Sequence, residues 1–202
     1  MNETETPWVG NAAEAPALVA ALRAVEIPRI TLTGRMGIGK TTAIRTLCGE
    51  HFAGTDVRNL DQESHLKEFT TVGAEFGDIV LGDDDRVQLC GCPGQERFAF
   101  VRRWVLSVSF GVLVMVDVNV PADLEEAAKI LGEVAALPEP PLALVLSARP
   151  STPAAREQFA QALAARGAGV VPVLQADPRV RQDLLDVLSV LVSLLSVEGE
   201  NL

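Results

Sequence analysis

Residues 34–41 read G-R-M-G-I-G-K-T and match the whole of the pattern G-x-x-x-x-G-K-[ST]. In this pattern the glycines let backbone N–H groups surround a row of phosphates, Lys40 reaches the β- and γ-phosphates, and the Thr41 hydroxyl binds Mg²⁺. Lysine is scarce in this sequence, so composition alone would produce the pattern in roughly two of a thousand such sequences. The residues expected to contact a nucleotide here are Gly34, Arg35, Met36, Gly37, Ile38, Gly39, Lys40, Thr41 and Thr42.

The residues on either side of this loop favour a strand before it and a helix after it. A short segment rich in β-branched residues, 30–33, runs directly into the loop. Residues 43–48 have a spacing compatible with a helix, and Gly49 is a typical helix stop. A strand, a loop and the N-terminus of a helix form the context in which this motif binds phosphate.

The rest of the chain alternates between strand-like and helix-like segments. Strands are predicted at residues 76–81, 86–90, 111–116, 142–146 and 170–174, and helices at about 98–107, 122–136, 153–166 and 179–197. Residues 82–85, G-D-D-D, suit a hairpin turn between the first two of these strands. The alternation predicts an α/β fold in which helices flank both faces of a mainly parallel sheet, with ligands at the carboxyl ends of the strands.

Length and composition favour a single domain. A chain of 202 residues with 48% apolar residues can bury a substantial core. We divide it into an N-terminal extension at residues 1–26, partly helical or disordered, a domain at residues 27–197 and a tail at residues 198–202.

The net charge and the absence of targeting patterns limit the expected partners and cellular location of the protein. The formal net charge of −10, without a basic cluster, argues against a nucleic-acid or anionic-membrane partner. The sequence has no apolar run of transmembrane length, no segment resembling a signal peptide and no lipidation motif. It therefore predicts a cytoplasmic protein with no integral membrane segment, in which Cys48, Cys90 and Cys92 are reduced thiols.

Two further segments, taken together with the phosphate loop, resemble the switch segments of small Ras-like GTPases. In T-T-V-G-A-E-F-G, residues 70–77, Thr71 matches the switch I threonine of Rab-type proteins that closes on Mg²⁺ and the γ-phosphate. In C-P-G-Q-E-R-F, residues 92–98, Gly94 and Gln95 match the switch II residues that sense the γ-phosphate and orient the attacking water. Both segments most closely resemble the bacterial branch linked to gliding polarity and conservon operons, and the likeness extends over about residues 29–197.

This resemblance implies a Ras-like G domain that binds GTP or GDP with Mg²⁺ and hydrolyses GTP slowly. Gln95 and Gly94 would be the catalytic residues, and Thr41 and Thr71 the metal ligands. The switch loops would signal to a regulatory or effector protein, which in the bacterial branch is of the roadblock type.

The sequence departs from the family pattern at two places. Gly91 stands where the family usually has an aspartate that holds a Mg²⁺-bound water, and S-A-R-P, residues 147–150, replaces the N-K-x-D that reads guanine. Ser147 and Arg149 are thus the candidate base contacts of this loop. After the next strand, the Ala176 N–H could contact a base, and Asp177 could supply a carboxylate or simply cap the last helix.

These departures leave two functions open. One is a nucleotide-dependent switch, and the other is a degenerate nucleotide-binding scaffold with little hydrolysis or relaxed base specificity. A P-loop kinase is disfavoured because such enzymes need an arginine-rich lid, and the comparable pair, Arg102 and Arg103, directly follows the switch II segment.

Overall fold

The structure, a computed structural model, describes residues 27–53, 75–80, 86–93 and 99–199. Its strands are β1 (Arg29–Gly34), β2 (Phe52–Ala53), β3 (Glu75–Val80), β4 (Arg86–Pro93), β5 (Gly111–Val116), β6 (Leu142–Ser147) and β7 (Val173–Gln175). Its helices are α1 (Lys40–Cys48), α2 (Ala99–Ser107), α3 (Pro121–Ala135), α4 (Pro153–Ala164) and α5 (Arg181–Gly199), and one 3-10 turn covers Gly49–His51.

The seven strands form one sheet in the order β2-β3-β4-β1-β5-β6-β7. The pairs β4·β1, β1·β5, β5·β6 and β6·β7 are parallel, whereas β3 pairs antiparallel with both β2 and β4. The predicted α/β fold with a mainly parallel sheet is therefore confirmed. The carboxyl ends of the five parallel strands lie at the same edge of the sheet, as parallel pairing requires.

Alternating side chains of the central strands pack into two apolar layers. On one face Leu113 and Met115 of β5 pack with residues of α1 and α5, including Ile44 and Leu188. On the other face Val112, Val114 and Val116 pack with residues of α3 and α4, among them Ile130, Leu131, Phe159 and Leu163. Since successive residues of a strand point to opposite faces, an all-apolar strand such as β5 indicates helices on both sides.

The predicted strand at residues 170–174 is wrong in its first half, because β7 begins only at Val173. Val170 is 98% exposed, so it makes no core contact that would favour a strand. Pro172 accepts a hydrogen bond from the Val145 N–H at 3.0 Å, but it has no N–H with which to extend the ladder. The two-residue strand β2 is not predicted, since it is too short to carry a periodic pattern.

The predicted hairpin strands pair antiparallel as expected, with Glu75 opposite Gly91 and Val80 opposite Arg86. Their connecting residues 82–85 lie outside the described residues, as do the predicted N-terminal extension at 1–26 and residues 200–202 of the predicted tail. Within the described segments, no helix has both the length and the apolar character needed to cross a bilayer.

Arg102 of α2 is fully buried and pairs with Glu133 of α3. Its Nε and Nη2 donate to the two carboxylate oxygens of Glu133, each at 2.7 Å. This two-point geometry supplies direction as well as charge, which is what allows a guanidinium to be buried. The pair fixes α2, the helix that follows residues 92–98, against α3.

All three cysteines are buried and free of disulfides. Burial raises the pKa of Cys48 to about 11 and that of Cys92 to about 12, and it raises the pKa of Cys90 as well. A thiol with a raised pKa forms little of the thiolate that reacts or binds metals. The cysteines thus serve as small apolar core residues.

Candidate functional site

The predicted phosphate loop connects the carboxyl end of β1 to the start of α1. Gly34, Gly37 and Gly39 have φ angles of 139°, 77° and 120°, which residues with a side chain rarely adopt. At Gly34 an added Cβ would lie 2.2 Å from the Met115 carbonyl oxygen, so only glycine allows the loop to pass this close to β5. The N–H groups of the first turn of α1 have no intrahelical acceptor, and they form the positive end of the helix.

Lys40, the first residue of α1, folds back over this loop. Its Nζ donates to the carbonyl oxygens of Gly34 at 2.7 Å and Arg35 at 3.0 Å. Burial lowers the pKa of Lys40, and the nearby carboxylates of Glu75 and Glu126 partly offset this effect. An ammonium group at the positive end of a helix favours an anion with several negative charges.

The side chains of the other loop residues have different environments. Ile38 is fully buried in the core, so only its backbone can face a ligand, whereas Met36 is 69% exposed. Arg35 is turned away from the loop toward α3, where its Nε lies 2.8 and 2.9 Å from the two oxygens of the buried Asp123. This ion pair anchors the loop to the N-terminal turn of α3.

Arg149, predicted as a base contact, holds the phosphate loop from the opposite side. Its Nη1 donates to the Ile38 carbonyl at 2.9 Å and to the Ala148 carbonyl at 2.8 Å, and its Nη2 donates to the Gly37 carbonyl at 3.1 Å. The guanidinium therefore connects the loop after β6 with the loop after β1. This connection depends on distant residues, so the sequence alone did not reveal it.

A cavity of about 450 Å³ lies beside the phosphate loop, at the carboxyl edge of the sheet. This volume falls in the usual range of small-ligand sites. Its lining consists of Gly37, Gly39, Thr42, residues 148–150, residues 175–179 and Asp183. The loops after β1, β6 and β7 thus enclose a space that continues from the phosphate loop.

Three residues predicted to meet a base make contacts within the protein, and two of them, Ala176 and Asp177, also line the cavity. Ser147 is fully buried, and its hydroxyl donates to the Arg149 carbonyl, so it shapes the loop rather than lining the cavity. The Ala176 N–H donates to the Ser147 carbonyl at 3.2 Å. Asp177 lines the cavity, but its two oxygens accept from Nε and Nη2 of Arg179 at 2.9 and 2.6 Å.

The Arg179 guanidinium lowers the pKa of Asp177 to about 2. Asp177 also accepts from the Arg179 N–H at 2.9 Å, which closes a turn before α5. The carboxylate of Asp183 accepts the Asp177 N–H at 3.0 Å. Both carboxylates of the cavity therefore accept hydrogen bonds within the protein. The contacts of Asp177 agree with the alternative of a local structural role before α5.

The Thr41 hydroxyl meets a carboxylate that was not predicted as part of the site. Thr41 donates to Oε1 of Glu75, the first residue of β3, at 2.6 Å. Hydroxyl and carboxylate oxygens are the ligands that Mg²⁺ prefers, so these residues fit the predicted metal. Nothing local distinguishes Glu75 in the sequence, because its role depends on the pairing of β3 with β4.

Thr71, Gly94 and Gln95, predicted as a metal ligand and as catalytic residues, lie outside the described residues. Among the residues that the structure describes, no group of three or more His, Cys, Asp or Glu side chains could hold a metal ion.

No model of a known protein family matches this sequence. The chemistry of the site therefore follows from its own residues. An ammonium group at the N-terminus of a helix suits an anion, the Thr41 hydroxyl beside Glu75 suits a hard cation, and the adjacent cavity has the size of a small-ligand site.

Proposed function

We propose that this chain is a molecular switch of the small Ras-like type that binds GTP or GDP with Mg²⁺ and acts in the cytoplasm. The observation that carries the proposal is the arrangement around the start of α1, where a phosphate loop with Lys40 and Thr41 borders a cavity of about 450 Å³. The mainly parallel sheet supports it, because such sheets bind nucleotides outside the carboxyl ends of their strands.

In this proposal the phosphates occupy the loop and the base occupies the cavity. Lys40 exchanges its two carbonyl acceptors for β- and γ-phosphate oxygens, and the N–H groups of the first turn of α1 donate to the phosphates. When bound, Mg²⁺ would supply positive charge that offsets the negative charge of the phosphates. Thr41 is the described residue whose hydroxyl would hold it.

Thr71, Gly94 and Gln95 enter the proposal through sequence resemblance. They would order around a γ-phosphate, and the ordered loops would bind a regulatory or effector protein, by resemblance one of the roadblock type. Hydrolysis through a water oriented by Gln95 would then release that partner.

We predict that the preference for GTP over ATP is small, because the two carboxylates among the described lining residues of the cavity, those of Asp177 and Asp183, already accept hydrogen bonds within the protein and would have to exchange them for the N1–H and N2–H of guanine. A charge-assisted pair of this kind is worth about 2–3 kcal/mol, so its loss lowers selectivity by about 30- to 150-fold. Calorimetric titration with GTP and ATP measures the ratio, and Asp177→Asn should leave it unchanged. A preference of about a thousandfold that disappears in Asp177→Asn would contradict the prediction.

Hydrolysis is tested by single-turnover measurement on the native protein and on Gln95→Leu. We expect slow intrinsic hydrolysis that a partner able to order the switch segments accelerates by about 10³-fold or more, with little acceleration of the variant. A neighbouring substitution, Glu96→Leu, controls for a general effect on this segment. Equal rates for native protein and Gln95→Leu in the presence of a roadblock-type protein would favour the scaffold function.

A further inference from the structure

Gly91 of β4 lies opposite Glu75 of β3, and the two residues share one small space beside α1. A Cβ added at Gly91 would lie 2.9 Å from Cδ1 of Ile44, 3.3 Å from Oε2 of Glu75 and 3.4 Å from its Cβ. A side chain at position 91 would therefore displace its neighbours. The space that such a side chain would enter is already bordered by the carboxylate of Glu75.

The same carboxylate determines how the Thr41 hydroxyl is oriented. The Thr41 hydroxyl donates a hydrogen bond to Oε1 of Glu75 at 2.6 Å, so the lone pairs of its oxygen are left for another partner. A hydroxyl that donates to a carboxylate is also a better ligand, because the negative charge increases electron density on its oxygen. Since both residues are half-buried, their interaction is less screened than one at the surface.

We propose that Glu75, which lies opposite Gly91 on the neighbouring strand, positions the Thr41 hydroxyl to bind Mg²⁺. This inference rests on the proposed function, since it concerns the metal that accompanies the nucleotide. Glu75 acts through Thr41 and is therefore a positioning residue. Its negative charge also lies near Lys40, so the site contains the opposite charges that a metal and a phosphate chain require.

The experiment measures the dependence of nucleotide release on Mg²⁺. Protein loaded with a fluorescent GDP analogue is mixed with excess unlabelled GDP over a range of free Mg²⁺ concentrations, and the release rate gives the Mg²⁺ midpoint. We expect Glu75→Ala to raise this midpoint by about 10-fold or more, the usual effect of removing a group that orients a metal ligand. In EDTA, native protein and variant should release the analogue at similar rates.

Two further variants distinguish the positioning of Thr41 by Glu75 from a general effect of negative charge on this strand and from a loss of folding. Asp78→Ala removes a carboxylate from the same strand, at a position opposite Gln88 rather than Gly91, and should keep the native midpoint. Glu75→Gln keeps the size and an acceptor for Thr41 but loses the charge, so its midpoint should lie between those of the native protein and Glu75→Ala. It also serves as the test if Glu75→Ala does not fold.

Several results would overturn the inference. Native midpoints in both Glu75 variants, an equal shift in Asp78→Ala, or a faster release that persists in EDTA would mean that Glu75 does not act on the metal. These outcomes leave nucleotide binding itself intact. Absence of binding by the native protein at every Mg²⁺ concentration would instead remove the proposed function, and this inference with it.

Discussion

Replacement of Lys40 by alanine is expected to lower affinity for a nucleoside triphosphate by about 100-fold or more. Lys40 would donate charge-assisted hydrogen bonds to two phosphates, and each bond of this kind contributes about 1.5–3 kcal/mol. The fold should persist, because burial lowers the pKa of Lys40 and its charge therefore does not favour the folded state. Titration with a fluorescent GTP analogue measures the affinity.

Lys129→Ala is the matched control for this result. It makes the same change of charge on the exposed side of α3, so affinity should remain within about twofold of the native value. Thermal unfolding of the ligand-free proteins checks that Lys40→Ala is folded. Native affinity in a folded Lys40→Ala protein would show that residues 34–42 are not the nucleotide site.

The second large effect is expected from Glu133→Ala, which should lower the free energy of unfolding by about 3 kcal/mol or more. The variant leaves the fully buried Arg102 without the carboxylate that accepts two of its hydrogen bonds. Removal of one member of a buried ion pair lowers the free energy of unfolding by about 3–5 kcal/mol, because the other charge stays buried. Urea denaturation measures the change through the midpoint and slope of the transition.

Glu125→Ala offers a close comparison on the same helix. Glu125 also pairs with an arginine at 2.7 Å, but it is 67% exposed and its partner Arg166 is 37% exposed. Exposed ion pairs contribute little to stability because water screens them, so this variant should be nearly as stable as the native protein. Similar losses of unfolding free energy in Glu133→Ala and Glu125→Ala would mean that the burial of Arg102 does not determine how much its ion pair stabilises the fold.

The order of strands and helices could be predicted from the sequence because it depends on local patterns. The apolar run of β5 and the glycines and prolines between segments locate the ends of each element to within a few residues. The predicted start of β7 is wrong because local pattern and packing disagree there: Val170 is apolar but 98% exposed. An apolar residue indicates a strand only when a neighbouring element covers it.

The local structure of the candidate site was predictable where one short segment determines it, as in the loop between β1 and α1. It was not predictable where a contact joins distant segments. Glu75 meets Thr41 through strand register, and Arg149 meets the Ile38 carbonyl over more than a hundred residues of sequence. The sequence also does not show which side chains point into the protein. The Ser147 hydroxyl, for example, donates a hydrogen bond within its own loop.

The connection made by Arg149 has a consequence for the kinetics of an emptied site. Its hydrogen bonds to the Gly37 and Ile38 carbonyls, together with the Arg35–Asp123 pair, hold the phosphate loop in shape through contacts made within the protein. A loop ordered in advance loses little conformational entropy when a ligand arrives. We therefore expect incoming nucleotide to be captured at a rate set by diffusion, so that departure of the previous nucleotide alone determines how quickly one is exchanged for another.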